Sequence, residues 1–378
     1  MATRAARRNG RKTTRPRAAA RPISIADFES LARARMDRGA FDYYAGGAGD
    51  ERTLEMNSKG YDRYVLRPRV LVDVARVDTS ATVLGERLAM PILVAPTALQ
   101  RLAHRDGEAA TARAAAAAGT LMCVSTVASM SIEDVAAAAS GPKWFQLYVY
   151  KDSGITRDMV ARAEAAGYKA LVVTVDTPRL GHRERDARNA FALPKGIEPV
   201  NLTAIHPLVA ARSQGGPPPF ADQVEQLFDA SLDWKRIAWL RSITKIPVIL
   251  KGVVTPEDAR LAVEAGVGAI IVSNHGGRQL DGAEATIVSL PRVADAVAGA
   301  IPVLVDGGIR RGAHVLTALG LGAQAVLIGR PVLWGLATGG EQGVRDVLAL
   351  LRAELELAMA LSGKPTIASI DRALVAGA

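Results

Sequence analysis

The sequence predicts an α/β fold and, within that class, a closed (β/α)8 TIM barrel. Three observations point there. From Pro91 onward one unit recurs: a short apolar strand, a polar loop, then a helix with a glycine just before the next strand. The joints read AAAAAGTLMCVS, AEAAGYKALVVTVD, AVEAGVGAIIVSNH and LTALGLGAQAVLIGR. The strands are near-continuous apolar runs, the pattern of a parallel sheet covered by helices. Eight of them are expected, near residues 92–95, 121–125, 144–149, 170–175, 247–251, 269–273, 302–305 and 325–328. Eight units over about 240 residues fit a closed barrel better than an open sheet. The glycine at each joint supplies the left-handed ending a helix needs before the chain turns into a strand.

Residues 1–21 carry eight basic side chains (Arg4, Arg7, Arg8, Arg11, Lys12, Arg15, Arg17, Arg21) and no acid, so of the net charge of +9 only +1 belongs to the rest. A nearly neutral body argues against nucleic acid as its partner. The segment reads as a solvated, disordered tail, with an organellar transit segment or a basic arm as alternatives. It has no apolar core of a secretory signal, and no run of about 18 apolar residues offers a membrane span. The expected location is cytoplasmic, without integral membrane contact. Residues 22–378 are expected to form one domain, since single barrels with insertions reach this length.

Within that domain Ser24 caps an expected helix over 25–38, with Asp27 and Glu29 in its first turn. The following FDYYAGGAGDERTL reads as an irregular segment from which Tyr43 or Tyr44 could reach a pocket. Weak alternation over 60–90 predicts a short hairpin plugging one barrel end. Residues 177–232 replace the short loop expected after the fourth strand and include Gly215, Gly216 and Pro217 to Pro219. Loops of that length are usually functional, so a partly mobile lid over the C-terminal face is expected. Its Ile205, Leu208 and Val209 are too few for a membrane anchor. The last helix, 341–361, should pack Val344, Leu348, Leu351, Leu355 and Met359 on the barrel. The single Cys123, inside LMCVS, reads as a core residue and rules out an internal disulfide.

Chemistry in such a barrel occupies the C-terminal strand tips. The stretch SNHGGRQLDG, residues 273–282, sets His275 and Arg278 three residues apart beside two glycines. That combination offers a proton acceptor and a planar clamp for a carboxylate. DGGIR (306–310) and IGR (328–330) put glycine amides and two arginines after the seventh and eighth strands, which is what a phosphate needs. The middle tips, Ser125, Gln146, Tyr148, Thr174, Asp176 and Lys251, suit the polar face of a ring. No cluster of His, Cys and carboxylates has metal-ligand spacing, so no metal is expected.

Seven motifs in order, PTALQRLAH, FQLYVYKD, TVDTPRLGHRERDARN, LKGV, SNHGGRQLDG, VDGGIRRG and IGRP, resemble the FMN-dependent 2-hydroxy-acid oxidase and dehydrogenase family, which includes glycolate and lactate oxidases. The resemblance runs from about residue 25 to 370. It implies FMN across the barrel mouth, bordered by Pro96, Thr97, Ala98, Ser125, Gln146, Thr174 and Ser273. Asp306, Gly307, Gly308, Ile309, Arg310, Gly329 and Arg330 would hold ribityl and phosphate, and Lys251 would neutralise the reduced ring. Arg278 and Arg183 would grip the substrate carboxylate, with Tyr43 and Tyr148 bonding its carboxylate and hydroxyl. His275 would accept a proton, supported by Asp176. The implied reaction is oxidation of an (S)-2-hydroxy acid to the 2-keto acid, in a homo-oligomer, tetramer or octamer. No motif encodes the electron acceptor; with no haem-binding domain before the barrel and no membrane segment, O2 is expected over a cytochrome or quinone, giving hydrogen peroxide. Val127 stands where plant glycolate oxidases have Trp, and His182 where an arginine is common. Both put glycolate in doubt as the substrate, and Val127, by enlarging the pocket, points to a larger one.

Three other readings stay open at this level: a dehydrogenase or monooxygenase of the same family, a different FMN- or phosphate-binding barrel enzyme, and a non-catalytic binding protein using the basic tail. The pairing of His275 with Arg278 and Arg183 counts against the different barrel enzyme, because such reactions do not need a clamped α-carboxylate; retention of a flavin that bleaches with a 2-hydroxy acid separates the binding-protein reading.

Overall fold

Eight parallel strands close into a barrel at the centre of the structure, a computed structural model that describes residues 22–203 and 227–378. They are β1 (Ile92–Val94), β2 (Met122–Ser125), β3 (Lys143–Leu147), β4 (Leu171–Thr174), β5 (Val248–Val253), β6 (Ala269–Val272), β7 (Val303–Asp306) and β8 (Ala325–Ile328). Each pairs with the next, and β8 closes on β1. All eight expected strands are present, with ends displaced by at most two residues.

Side-chain alternation divides the apolar residues into two cores. Leu93, Cys123, Trp144, Val172, Ile249, Ile271, Leu304 and Leu327 form the barrel interior. Their neighbours Ile92, Val124, Phe145, Val173, Leu250, Val272, Val305 and Val326 belong to the larger cluster under the helices. Cys123 is accordingly a buried core residue. Two residues further along the strands, the same inward rows become polar at Ser125, Gln146, Thr174, Lys251, Ser273 and Asp306. The period of two that fills the barrel thus also delivers these groups to its mouth.

At the opposite end a hairpin, Ala81–Val83 with Glu86–Leu88, turns at Leu84 and Gly85, both at positive φ. Val83, Leu84 and Leu88 pack into the interior cluster, so the hairpin is the expected plug. It is shorter than expected: residues 60–63 make a 3-10 turn, and Tyr64–Leu66 pairs with the C-terminal Val375–Gly377.

The N-terminal part departs further from expectation. Helix α1 (Ile25–Arg35) starts in a capping box between Ser24 and Asp27 but stops short of residue 38. Asp37 ends it by accepting bonds from the Gly39 and Ala40 amides, which caps α2 (Arg38–Ala45). The segment expected to be irregular is therefore mostly helical: α2, a bend at Gly46–Asp50, then α3 (Arg52–Lys59). Burial decides it, since α2 places Ala40, Phe41, Tyr43 and Tyr44 inside, with Phe41 stacked 4.9 Å from Trp334.

Around the barrel lie α4 (Gly107–Ala117), α5 (Ile132–Ala138), α6 (Ser153–Ala165), α7 (Glu184–Arg188), α8 (Trp234–Ser242), α9 (Pro256–Glu264), α10 (Thr286–Val297), α11 (Gly312–Gly320) and α12 (Arg330–Leu361). Helix α12 breaks at Gly339 and Gly340, so its second part begins where the final helix was expected and buries the five predicted apolar residues. The described ends of the insertion after β4 are not structureless, holding α7 and a helical turn, Val200–Thr203. Its returning end is stitched to the tip of β3 by a bridge between Tyr150 and Phe228. Ile205, Leu208, Val209 and the Gly215 to Pro219 run lie outside the described residues, as do residues 1–21. No helix among the described residues is long and apolar enough to cross a membrane.

Candidate active site

The C-terminal mouth of the barrel opens into a cavity of about 800 Å³ lined from every side by strand tips and by α2, α7 and the loop after β6. One end is a cradle of Gly307, Gly308, Ile309 and Arg310 after β7 with Gly329 and Arg330 after β8. Gly308 sits at φ 72°, and a Cβ there would fall 1.9 Å from the Asn57 carbonyl oxygen, so only glycine lets α3 close on this turn. The Tyr61 hydroxyl donates to Gly307 O (3.2 Å), and its ring stacks 4.2 Å from His314, whose Nδ1 accepts from Arg310 N at 3.3 Å. Burial, helped by neighbouring guanidiniums for Arg330, pushes both Arg310 and Arg330 below the usual arginine range. Neither forms an ion pair among the described residues. The cradle is therefore short of negative charge, which a phosphate would supply.

Next along the mouth is a buried cation. Lys251 Nζ contacts Asp306 Oδ2 at 2.9 Å and Ser273 Oγ at 2.8 Å. Burial works against its charge, but Asp306 and then Asp176 outweigh that and raise it above the ordinary lysine value. Ser273 is wholly buried and supports Lys251 from behind the cavity wall. Among the described residues Asp306 Oδ1 is buried with no partner, an acceptor that a polyol hydroxyl would satisfy. Opposite, Gln146 Nε2 donates to Thr174 Oγ1 (3.0 Å) and Ser125 Oγ donates to Gln146 Oε1 (3.2 Å), fixing the amide's orientation. Pro96, Thr97 and Ala98 complete this side.

The third part is an imidazole–carboxylate pair. His275 Nδ1 lies 2.9 Å from Asp176 Oδ1. Asp176 can stand there because β5 carries a bulge at Gly252, where a Cβ would meet Asp176 Cβ at 2.7 Å. His275 itself is held at φ 59°, a left-handed conformation that costs a non-glycine residue free energy and is typical of functional positions. Burial, with Lys251 and Arg183 nearby, holds the ring below the ordinary histidine value against the pull of Asp176. Burial pushes the Asp176 carboxyl up, but His275 outweighs it and keeps the group ionised. A neutral imidazole backed by a carboxylate can serve as a general base through its second nitrogen.

Arg278 stands beside it, donating from Nη1 to the carbonyls of Tyr43 (2.6 Å) and Gly46 (3.0 Å) and lying 5.2 Å over the Tyr43 ring. Burial and the nearby Arg183 push it down to about 10, so it stays charged at neutral pH. Arg330 binds the same corner, donating to Tyr44 O, Gly276 O and Gly46 O at 2.8, 2.9 and 2.9 Å. Arg183 lines the cavity with its Nε buried and without a partner among the described residues, and Tyr43, Tyr148 and Val127 face the same space.

Every residue predicted from the strand tips is brought to this cavity except Asp176 and Ser273, which lie one layer behind, bonded to His275 and Lys251. Sequence reasoning missed Phe191, stacked 4.8 Å from Tyr43, and Phe228, stacked 4.4 Å from Tyr148. It also missed Asp186, a cavity carboxyl raised by burial against the pull of Arg278 and Arg183. The one signal for Asp186 was its spacing of three from Arg183 at the start of α7; Phe191, beyond the end of that helix, and Phe228 carried none.

A barrel mouth that joins an anion cradle, a buried ammonium and a His–Asp pair beside desolvated guanidiniums defines an oxidoreductase that takes a phosphorylated ring cofactor. Comparison with known proteins agrees. Residues 32–377 match the FMN-dependent dehydrogenase family. Glycolate oxidase 1 of Oryza sativa subsp. indica is 50% identical over 350 residues, covering 93% of this chain and 94% of the relative. L-lactate oxidase of a Nostoc species is 51% identical over 354 residues, covering 93% and 97%. A crystal structure of mandelate oxidase with (S)-4-hydroxymandelic acid superposes with a TM-score of 0.88 at 45% identity, covering 93% of this chain and 98% of that one. The chain belongs to the FMN-dependent dehydrogenase family, and its cofactor is FMN. The cradle, the unsatisfied Asp306 oxygen and the buried Lys251 fit the phosphate, polyol and ring of that cofactor in turn.

Proposed function

We propose that the protein oxidises an (S)-2-hydroxy acid to the 2-keto acid, with the electrons passing to dioxygen to give hydrogen peroxide. The observation that carries this reading is the His275–Asp176 contact of 2.9 Å opening into a cavity shared with Arg278 and Arg183. FMN, when bound, supplies the two-electron acceptor for the carbinol C–H bond. Arg310, Arg330 and the glycine amides of residues 307, 308 and 329 would hold its phosphate. Pro96 to Ala98, Ser125, Gln146, Thr174 and Lys251 would border its ring, with Ser273 and Asp306 supporting Lys251.

Arg278 and Arg183 clamp the substrate carboxylate, the planar fork matching two oxygens at once. Tyr43 and Tyr148 are protonated, since burial raises both phenols, so each can donate to the substrate's oxygens. His275 takes the proton released at the carbinol centre and shares the resulting charge with Asp176. Val127 is an isopropyl wall where an indole would fill space, which favours a substrate longer than glycolate.

The catalytic unit in this reading is residues 22–378, cytoplasmic and homo-oligomeric. The exposed Val70, Leu71 and Leu361 give apolar surface for association, checked by light scattering of the purified protein. The chemistry is tested by adding glycolate, lactate, 2-hydroxyoctanoate and mandelate to the FMN-loaded protein without oxygen. Bleaching of the flavin absorbance, followed in air by equal yields of keto acid and peroxide, supports it. No bleaching by any of the four refutes it, and bleaching without peroxide replaces dioxygen by another acceptor.

A further inference from the structure

We infer that Glu108 is a positioning residue for the flavin and substrate walls, although it touches neither ligand; this rests on the oxidase reading above. Glu108 lies in the first turn of α4 and is wholly buried. Its contacts are hydrogen bonds from neutral donors in two different loops. Oε1 accepts from the Gln100 amide after β1 (3.0 Å) and from the Ser129 amide after β2 (2.8 Å). Oε2 accepts from Ser129 Oγ (2.7 Å), which in turn accepts from the Arg101 amide at 3.1 Å. A single carboxylate thus ties the two loops together, each bond strengthened by its charge.

What the tie holds is a strained wall. Leu99, between the Pro96–Ala98 face and Gln100, is a fully buried non-glycine residue at φ 53°, ψ 44°. That left-handed conformation persists only where the surroundings over-determine it. They do: Leu99 N donates to Val127 O (2.9 Å), and Leu99 O accepts from the Tyr44 hydroxyl at 2.6 Å. Gln100 extends the frame, donating to Thr97 Oγ1 (2.9 Å) and accepting from Thr111 Oγ1 (2.6 Å). Thr97 and Ala98 face the cavity on the side proposed for the ring, and Val127 faces it on the side proposed for the substrate chain. Because Leu99 joins Val127 directly, releasing Glu108 loosens both walls together. Cofactor affinity and substrate selectivity should therefore change in step.

The test compares Glu108→Ala, Glu108→Gln and Ser129→Ala with the unmodified protein. Three quantities are read: FMN Kd of the apoprotein from quenching of flavin fluorescence, the melting temperature, and the ratio of kcat/KM for 2-hydroxyoctanoate over glycolate. Glu108→Ala should raise the FMN Kd at least about tenfold and bring the substrate ratio toward one, because two amides and a hydroxyl lose their acceptor. Glu108→Gln keeps an oxygen for both amides and should restore the Kd to within about threefold. Ser129→Ala, which loses only the hydroxyl bonds, should fall between. A lower melting temperature with unchanged Kd and unchanged ratio would reduce Glu108 to packing and overturn the inference. If Glu108→Ala does not fold, Ser129→Ala decides: a raised Kd supports the positioning role and an unchanged one overturns it. Failure of the unmodified protein to oxidise any hydroxy acid would refute the oxidase reading alone, since the FMN Kd comparison stands without substrate.

Discussion

His275 combines two features that sequence shows separately at most: a left-handed φ of 59° and a carboxylate partner from a strand two positions away in the barrel. Its identity was legible because His and Arg three residues apart beside glycines at a strand tip is a chemical pattern. Asp176 was legible as a tip, but its service to His275 depends on the Gly252 bulge, a register shift that no residue spacing announces. The pair makes a signed prediction. As the proposed base His275 must be neutral, and it lies below its ordinary value of 6.5, so kcat/KM should be flat above that pH and fall on the acid side below it. Asp176 raises the ring's basicity, so Asp176→Asn should move the acid limb to lower pH while weakening the base; His275→Gln should cost at least about a hundredfold in turnover. A limb that stays in place in Asp176→Asn would separate it from His275. Selectivity is argued at the same scale. Val127 is only 5% exposed, its surface turned to the cavity, and each methylene held in such a pocket gives about 0.8 kcal/mol. The protein should prefer 2-hydroxyoctanoate or mandelate over glycolate, and Val127→Trp should reverse that order while sparing turnover of the smallest substrate. Higher kcat/KM for glycolate in the unmodified protein would refute this.

Among the elements, the strands were the legible part, because a parallel barrel strand buried on both faces must be apolar along its length. Helix α2 was not, because Gly46, Gly47 and Gly49 follow two tyrosines and hide a buried face that only packing on Trp334 and Phe191 makes helical. Phe228 escaped for a different reason: it sits in the returning end of the insertion, far along the chain from Tyr148, and nothing local marks that contact. The hairpin plug was anticipated in kind though not in extent, and it gives an element-scale prediction. Leu88 is 2% exposed at the barrel floor, below the apolar layers that separate it from the mouth. Leu88→Ala should destabilise the fold by about 2–5 kcal/mol, the usual cost of a buried leucine cavity. FMN Kd and kcat should remain at their original values at temperatures well below unfolding. A lowered denaturant midpoint with intact kinetics is the expected result; a parallel loss of flavin affinity would show that floor and mouth are mechanically coupled.

At the scale of the whole molecule, charge and function occupy different parts of the chain. Eight of the nine net positive charges fall in residues 1–21, while every residue lining the mouth lies between Tyr43 and Leu333. The mouth is nonetheless locally positive, with Arg183, Lys251, Arg278, Arg310 and Arg330 around one cavity. Anion capture is thus built into the barrel and does not need the tail's field, which salt screens over about 8 Å in physiological conditions. Removing residues 1–21 should therefore leave flavin content, kcat and KM unchanged, and KM for a hydroxy acid should have the same salt dependence with and without them. What should change is elution from a cation exchanger, because the remaining chain carries a net charge of only +1. The measurement is a KM series across ionic strength for both proteins, alongside their flavin-to-protein ratios. If the truncated protein lost flavin, or if its KM rose at low salt alone, the basic segment would be steering anions to the mouth, and the division between charged tail and catalytic barrel would fail.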